Sequence, residues 1–253
     1  MREQIDTIPV NEAFLSGDEC PFCYLERMIE QRAIRYILGP GASYMEPEVR
    51  AQTDTDGFCV HHYKQLYDYG NGLGNALIMQ TRYAGLLETL EQACDAFAVP
   101  PKRPLLGGKK KTEPQENTLL QWAKKQQESC FLCNKVATNM ERYYATFYAL
   151  IKEEEFRGRV ENSKGFCVRH FGELLENAGQ YLPNAQREWF HATMVHLIQE
   201  HMIRVKMDID HFVEMFDYRN AGKDWKTSRD AVSRGMQKLQ GRYPADPPYK
   251  SDK

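Results

Sequence analysis

Hydrophobic residues recur along this chain at intervals of three and four positions, the spacing of one face of an α-helix. One stripe comprises Ala76, Met79, Tyr83, Leu86, Leu90, Cys94 and Phe97. A longer stripe comprises Phe190, Met194, Leu197, His201, Val205, Ile209, Phe212 and Phe216. The alternation of apolar and polar residues that marks a half-buried strand does not recur. The pattern therefore predicts an all-α protein.

Helix boundaries follow the same plan in both parts of the chain. In the first, helices are predicted over 20–38, from 57–62 to about 70, and over 75–97, with a short turn near 46–51. In the second, they are predicted over 133–155, 168–178 and 183–216. Gly39-Pro40-Gly41 is a strong helix breaker, and Pro183 suits a helix start. We expect a helical bundle built from two similar three-helix halves.

Four consecutive segments are expected from this pattern. The first repeat covers 1–98, a linker covers 99–117, and the second repeat covers 118–216. The linker prediction rests on four prolines, two glycines and three successive lysines without periodicity. Residues 217–253 should form a C-terminal loop and a short helix over 228–239, with a frayed tail from Gly241.

Six of the seven cysteines fall in a pattern that occurs twice. Each copy has a C-x2-C pair and then a Gly-Phe-Cys-x2-His element. The ligands are Cys20, Cys23, Cys59 and His62 in the first copy, and Cys130, Cys133, Cys167 and His170 in the second. Three thiolates and one imidazole complete the tetrahedral coordination of one metal ion. Consecutive grouping predicts one ion for each copy.

The donor set favours structural Zn²⁺, two ions per chain, because four protein ligands leave no open position for chemistry. Two alternatives remain: an iron–sulfur cluster, in which histidine is a less usual ligand, and metal-free redox C-x2-C motifs. His61 and His62 are adjacent, so spacing alone does not choose between them. Aligning the two copies matches His62 with His170 and His61 with Arg169. His62 is therefore the predicted ligand. The seventh cysteine, Cys94, is expected to be buried on its apolar stripe.

Composition and charge narrow the remaining possibilities. The chain has 253 residues, 42% hydrophobic content and a net charge of −2, so we expect no general attraction for nucleic acid or for anionic membranes. The first residues show no export signal, and no stretch is long enough to span a membrane. We expect a cytoplasmic protein, in which paired cysteines bind metal rather than form disulfides.

One polar and aromatic segment is a candidate ligand or partner site. Tyr218, Arg219, Asn220 and Trp225 offer stacking surfaces and bidentate donors within a short loop. The competing interpretation is a structural strap that holds the tail against the bundle. Catalytic residues are not identifiable from the sequence.

The chain as a whole resembles an uncharacterised bacterial family, described as a domain of unknown function. The resemblance lies in DTIPVNEAF, CPFCYLER, LGPGASYMEPEVR, both GFCV-x-H elements, NMERYYATF and FDYRNAGKDWKTSRDAV. It covers about residues 1 to 240 and supports treating the eight ligands as one pattern. Members often carry the label "ABC transporter substrate-binding protein". We do not adopt it, because such binders are exported α/β proteins.

These observations favour a cytoplasmic zinc protein that acts as a binding or scaffolding module, with an unidentified protein or small-molecule partner. One alternative is an iron–sulfur or thiol redox sensor. Another is an enzyme with a cleft between the halves near the FDYRN segment, residues 216–220. The sequence is also compatible with a homodimer.

Overall fold

The structure is a computed structural model that describes residues 5–98 and 117–246. Within those ranges the chain forms eleven α-helices and no strand, so the all-α prediction is confirmed. The helices are α1 (Thr7–Leu15), α2 (Pro21–Leu38), α3 (Pro47–Asp56), α4 (Val60–Tyr69), α5 (Gly72–Asp95), α6 (Thr118–Lys125), α7 (Phe131–Leu150), α8 (Glu154–Glu161), α9 (Val168–Tyr181), α10 (Asn184–Glu214) and α11 (Ala231–Gln240). Short 3-10 turns occupy Ser43–Met45 and Tyr218–Asn220.

Each half contains two short helices more than the three expected: α1 and α3 lie within 1–98, and α6 and α8 lie within 118–216. The first copy runs α2, α3, α4, α5 and the second runs α7, α8, α9, α10, so lengths follow the same order. The segment expected as a turn at 46–51 is helix α3, which begins with Pro47 where a missing N–H costs nothing. Helix α8 is not among the predicted helices: the helix expected over 133–155 ends at Leu150, and α8 covers Glu154–Glu161.

The chain divides into two compact units, and each combines segments that are distant in sequence. Among the described residues, the first unit contains 5–30 and 136–246, and the second contains 31–98 and 117–135. The divisions at 30/31 and 135/136 fall inside α2 and α7. They therefore do not coincide with the four consecutive segments expected from the sequence. Of the expected linker, 99–116 lies outside the described residues, and Asn117 caps α6 by accepting the Leu120 N–H.

Aromatic rings dominate the core of the first unit. Its buried rings include Phe14, Phe22, Phe147, Phe156, Phe166 and Phe190. Phe147 is at the centre, stacked on Phe14 at 5.7 Å and edge-on to Phe22 at 5.4 Å between ring centroids. Such pairs stabilise a core beyond their buried area by about 0.5–1.5 kcal/mol each. The rings of α1, α2 and α7 are thereby fixed next to Cys20 and Cys23, which belong to the same core.

The second unit has a smaller core of ten buried hydrophobic residues. Ile34, Ile37 and Leu38 come from the end of α2, and Cys130, Phe131 and Leu132 come from the start of α7. Helix α5 contributes Ile78, but most of its stripe is exposed, and Cys94 is exposed as well. The expectation of a buried Cys94 is wrong, because periodicity shows only that a helix has an apolar face. Within the described ranges, helix α5 mainly contacts α3 and α6.

The C-terminal segment is ordered as far as it is described. Helix α11 starts three residues later than expected, at Ala231, and packs against α10 and α9. Beyond it, Arg242 bonds to Glu30 at 2.6 Å and Asp246 to Arg27 at 2.9 Å. Residues 241–246 are thus held against α2, and the rest of the expected frayed tail, 247–253, lies outside the described residues.

Replacing Phe147 by alanine should destabilise the first unit. The ring is 0% exposed, so the substitution leaves a cavity among six other aromatic rings. Such losses cost about 3–5 kcal/mol. Urea unfolding followed by circular dichroism measures the change. Leu15→Ala on α1, 69% exposed, is the control and should shift the curve by well under about 1 kcal/mol. Equal shifts for both variants would contradict the proposed core.

Candidate metal centres

Four cysteines occupy the same local position, the residue just before a helix. The carbonyls of Cys20, Cys59, Cys130 and Cys167 accept the first intrahelical hydrogen bonds of α2, α4, α7 and α9. The second ligand of each pair lies three residues later and therefore on the same face of the first turn. Unpaired N–H groups and the positive end of the helix dipole stabilise thiolates there. The Cys167 sulfur, for example, accepts the His170 N–H at 3.5 Å.

One cluster, site one, lies in the first unit and joins the start of α2 to the start of α9. It consists of Cys20, Cys23, Cys167 and His170, all of which are buried. The His170 Nδ1 atom lies 3.3 Å from the Cys20 sulfur, 3.5 Å from that of Cys23 and 3.2 Å from that of Cys167. The Cys23 and Cys167 sulfurs are 3.7 Å apart.

The other cluster, site two, lies in the second unit and joins the start of α4 to the start of α7. It consists of Cys59, His62, Cys130 and Cys133. The His62 Nδ1 atom lies 3.2 Å from the sulfurs of Cys59 and Cys130 and 3.4 Å from that of Cys133. The Cys59 and Cys133 sulfurs are 3.9 Å apart.

The predicted grouping of the ligands is wrong, although all eight predicted residues take part. Each cysteine pair meets the Cys-His element of the other copy: Cys20 and Cys23 with Cys167 and His170, and Cys130 and Cys133 with Cys59 and His62. Helix length explains this exchange. Helix α2 has 18 residues and rises about 27 Å from its first turn, so the chain is carried away from Cys20 before it reaches Cys59. The 20 residues of α7 do the same for Cys130.

The geometry of both clusters fits a single tetrahedral ion. Bonds of about 2.3 Å to sulfur and about 2.0 Å to nitrogen place sulfurs roughly 3.8 Å from each other and roughly 3.5 Å from nitrogen. The sulfur–sulfur distances of 3.7 and 3.9 Å and the nitrogen–sulfur distances of 3.2 to 3.5 Å agree with this. A disulfide would need about 2.05 Å between sulfurs. The clusters are therefore suited to metal rather than to cystine.

Without a bound cation, cysteines of the same cluster have pKa values shifted in opposite directions. In site two, burial raises the pKa of Cys130, but hydrogen bonds from His62 and from backbone N–H groups lower it to about 6. Burial and the neighbouring Cys130 and Cys59 raise the pKa of Cys133 to about 12. In site one, hydrogen bonds from Cys20 and Cys23 lower the pKa of Cys167, whereas burial raises that of Cys20. A bound divalent cation would take the place of the remaining protons.

The outer nitrogen of His170 faces two carboxylates. Its Nε2 atom lies 3.6 Å from Glu26 and 3.9 Å from Glu173. Arg169 forms a bidentate pair with Glu26, one bond being 2.9 Å, and Tyr144 donates to Glu173. Burial raises the pKa of Glu26, but the neighbouring His170 and Arg169 lower it to about 2. The nearest neighbour of His170 Nε2 is the Arg169 guanidinium, at 3.2 Å, and both carboxylates lie beyond hydrogen-bond distance from that nitrogen.

These outer residues were not identified from the sequence. Glu26 and Glu173 each lie three positions after a ligand, Cys23 and His170, and this spacing was the available signal. It was not conclusive, because the other copy has Val136 and Gln65 at the corresponding positions. His61, the counterpart of Arg169, is exposed as expected for a residue that is not a ligand.

The glycine of each Gly-Phe-Cys element allows the turn into the helix. Gly57 has φ = 59° and Gly165 has φ = 70°, values that side-chain-bearing residues rarely adopt. A Cβ on Gly165 would also lie 3.3 Å from the Leu197 carbonyl oxygen. The element is therefore a turn that presents cysteine at the helix start, with the intervening phenylalanine buried.

The candidate partner site at 218–225 forms a local turn in the first unit. Asp217 caps the Tyr218–Asn220 turn and pairs with Arg219, while Tyr218 is 86% exposed. Trp225 packs edge-on against Phe212 and Phe216, with ring centroids 5.5 and 5.7 Å away. These contacts favour the strap interpretation for Trp225. They leave Tyr218, Arg219 and Asn220 at the surface as a predicted partner site.

No described helix is both long and apolar enough to cross a lipid bilayer. Together, the helices and the clusters define an all-helical protein with two Cys3His groups, each assembled from both copies of the motif. Residues 1–246 match the model of a family described as "Family of unknown function (DUF6062)". The chain belongs to this family. A search of curated proteins found no match, and neither did a search of solved structures.

Paired substitutions should reveal which ligands share an ion. Cys20→Ser with Cys167→Ser damages site one twice, so the protein should keep one ion. Cys20→Ser with Cys59→Ser damages both sites, so both ions should be lost or much weakened. Elemental analysis after gel filtration measures the stoichiometry. Grouping by consecutive sequence requires the reverse result, so the two double variants control for each other.

Substitutions in the 218–225 turn should separate its two roles. Trp225→Ala removes contacts to Phe212 and Phe216 and should lower stability by about 1–3 kcal/mol, since the ring is partly buried. Arg219→Ala removes an exposed side chain that bonds to Asp217 nearby and should change stability by less than about 0.5 kcal/mol. Thermal melts compare the two. A larger loss for Arg219→Ala would contradict this division.

Proposed function

We propose that this is a zinc protein whose two ions are structural, and that it acts as a binding or scaffolding module. The observation that carries the proposal is the convergence of three sulfurs and one imidazole nitrogen, twice, at the separations a tetrahedral ion requires. Four protein donors saturate Zn²⁺, which leaves no position for a substrate. In site one, the burial of all four ligands further argues against chemistry on a substrate.

The size of each cluster favours one ion over an iron–sulfur cluster. All four ligand atoms in each site lie within 4.8 Å of one another. Clusters with several irons bind their cysteines at different iron atoms, which separates the sulfurs. Each histidine presents Nδ1 to all three sulfurs, as a ligand of the same ion would. Zinc is the proposed metal because thiolate and imidazole in this ratio are typical of its structural sites.

Zinc would stabilise this fold by closing long loops. Cys23 and His170 are 147 residues apart, and His62 and Cys130 are 68 apart. Closing either loop costs roughly 4 kcal/mol of chain entropy, because the cost rises only with the logarithm of length. Structural zinc supplies on the order of 10 kcal/mol or more. Metal binding would therefore outweigh the entropic cost of bringing these helix ends together.

The binding role is supported by surface features rather than by a catalytic arrangement. Met79, Tyr83 and Leu87 are spaced by four on α5, and all three are exposed. Such an apolar face suits a protein partner better than a small substrate. We place the protein in the cytoplasm, where free thiols persist and bind metal.

Protein purified without oxygen should contain two zinc ions per chain and be colourless. A strong chelator should lower its melting temperature sharply, and Cys167→Ser should do so as well. Cys94→Ser is the control, because Cys94 is exposed and belongs to neither cluster. Elemental analysis, absorption spectra and thermal melts make the comparison. A brown protein containing iron would contradict the choice of zinc, and an unchanged melt after complete chelation would contradict a structural role.

A further inference from the structure

Helix α5 has apolar residues on two opposite faces, and described residues of the second unit cover one of them. On the covered face, Gly74 and Ile78 are buried. Thr81, on the same side of the helix, donates to Asp54 of α3 at 2.8 Å. Farther along, α6 packs on α5. This face attaches α5 to its own unit.

The opposite face of α5 is also apolar, and it is exposed. Leu73, Tyr83 and Leu87 are 67%, 63% and 62% exposed. Met79, at the edge of this face, is 40% exposed. A surface helix normally turns polar residues toward water. An apolar face that stays exposed along a helix of 24 residues therefore marks a surface for a protein partner.

The spacing along this face is that of a coiled-coil seam. Residues on it follow alternating steps of three and four positions, and Gln80 is the one polar member of the series. We call the apolar members the α5 seam: Leu73, Ala76, Tyr83, Leu87, Leu90 and Cys94. A repeat of about 3.5 residues keeps one line of side chains facing a second helix. The partner of this face should accordingly be a helix of similar length.

Charge along α5 indicates a second copy of α5, in the reverse direction. Residues 72–81 have no charged side chain, whereas Glu88, Glu91 and Asp95 lie in the last two turns. Parallel copies would bring three carboxylates from each chain together at one end. Antiparallel copies place the acidic half of each helix beside the uncharged half of the other, next to the positive end of its helix dipole. Helix α5 is thus complementary to itself when reversed.

An antiparallel pair also matches the seam residues by size. With the twofold axis at residue 85, Tyr83 of one copy meets Leu87 of the other. In the same register Ala76 meets Cys94, so two small side chains face each other. The pairing would cover Cys94, which is exposed in the single chain.

The exposed face is large enough for a dimer that forms and dissociates. Its four most exposed apolar side chains present roughly 450 Å² per copy, so two copies bring together roughly 900 Å². The remaining seam residues bring the total near the about 1,200 Å² at which specific interfaces begin. Gln80 limits the affinity, because a polar residue within a seam costs stability.

We propose that α5 is a dimerisation helix, on which a second copy of this chain docks its own α5 in the antiparallel direction. This inference rests on the proposed binding role of the α5 face and names its partner. An interface of this size should give a dissociation constant in the micromolar range. The two Cys3His clusters do not depend on the dimer, because all four residues of each come from one chain.

Sedimentation velocity at increasing concentration tests the proposal on the full chain with its metal bound. The wild-type protein should pass from monomer to dimer through the micromolar range. Leu87→Glu places a charge in the seam and should weaken association at least about tenfold. Gln92→Glu adds the same charge at an exposed position outside the seam and should change association by less than about twofold. Circular dichroism checks that both variants keep their helix content.

Cross-linking tests the direction of the pair. Ala76→Cys introduces a thiol opposite the native Cys94 of the second copy, and a short bis-maleimide should link positions 76 and 94. Within one chain these positions are about 27 Å apart along α5, so the link must join two copies. Mass spectrometry identifies the linked peptides. Adding Cys94→Ser to this variant should abolish the link.

The outcomes separate this inference from the metal function. A protein that stays monomeric at every concentration while binding two zinc ions would overturn the dimer, assign the face to another occupant and leave the zinc function intact. Links only between Cys94 and Cys94, or equal association of Leu87→Glu and wild type, would overturn the antiparallel seam. A dimer that contains no zinc but is weakened by Leu87→Glu would support this inference and overturn the zinc function.

Discussion

The position of four cysteines immediately before four helices is the constraint on which the rest of the structure depends. A helix start presents residues zero and three on one side and stabilises negative charge there, so each pair of ligands is prepared by its own backbone. Each helix start provides two of the four residues of a cluster, and the other two must come from a second helix start. Because α2 and α7 are long, that second half comes from the other copy of the motif. The two Cys3His clusters and the discontinuous units therefore have a common origin in helix length.

Equal ligands do not make equal sites. The first unit surrounds its cluster with aromatic rings, two outer carboxylates and α11, whereas the second leaves one sulfur at the surface. Burial of a negatively charged thiolate cluster requires compensating partners, and Arg169 and Lys238 are near site one to provide positive charge. The same set of three cysteines and one histidine thus forms a fully buried cluster in the first unit and a partly exposed cluster in the second.

The sequence was sufficient for the helical fold and for all eight residues of the two Cys3His clusters, because apolar spacing and the C-x2-C pattern are local signals. It was insufficient to show which cysteine pair meets which Cys-His element. Each pair could join the element of its own copy or that of the other copy, and the spacing of the residues does not distinguish these two arrangements. The length of the helix after Cys23 could have decided the matter, since 18 residues carry the chain about 27 Å away. Burial of Cys94 could not be predicted from its stripe, because coverage depends on tertiary contacts. Glu26 and Glu173 carried too little signal, because their counterparts in the other copy, Val136 and Gln65, are not carboxylates.

The exchange of half-sites also constrains how such a chain could be shortened. A fragment with one copy has two cysteines at one helix start and a Cys-His pair at another, and its own helix holds them apart. Such a fragment could complete its coordination only by associating with a second molecule, and two molecules exchanging half-sites would form two equivalent centres by twofold symmetry. The present chain has both copies in one polypeptide, so what would be a concentration-dependent assembly becomes an intramolecular one. Two copies within one polypeptide do not need identical sequences, whereas two molecules of the same fragment do. The two centres can therefore differ only in the joined chain.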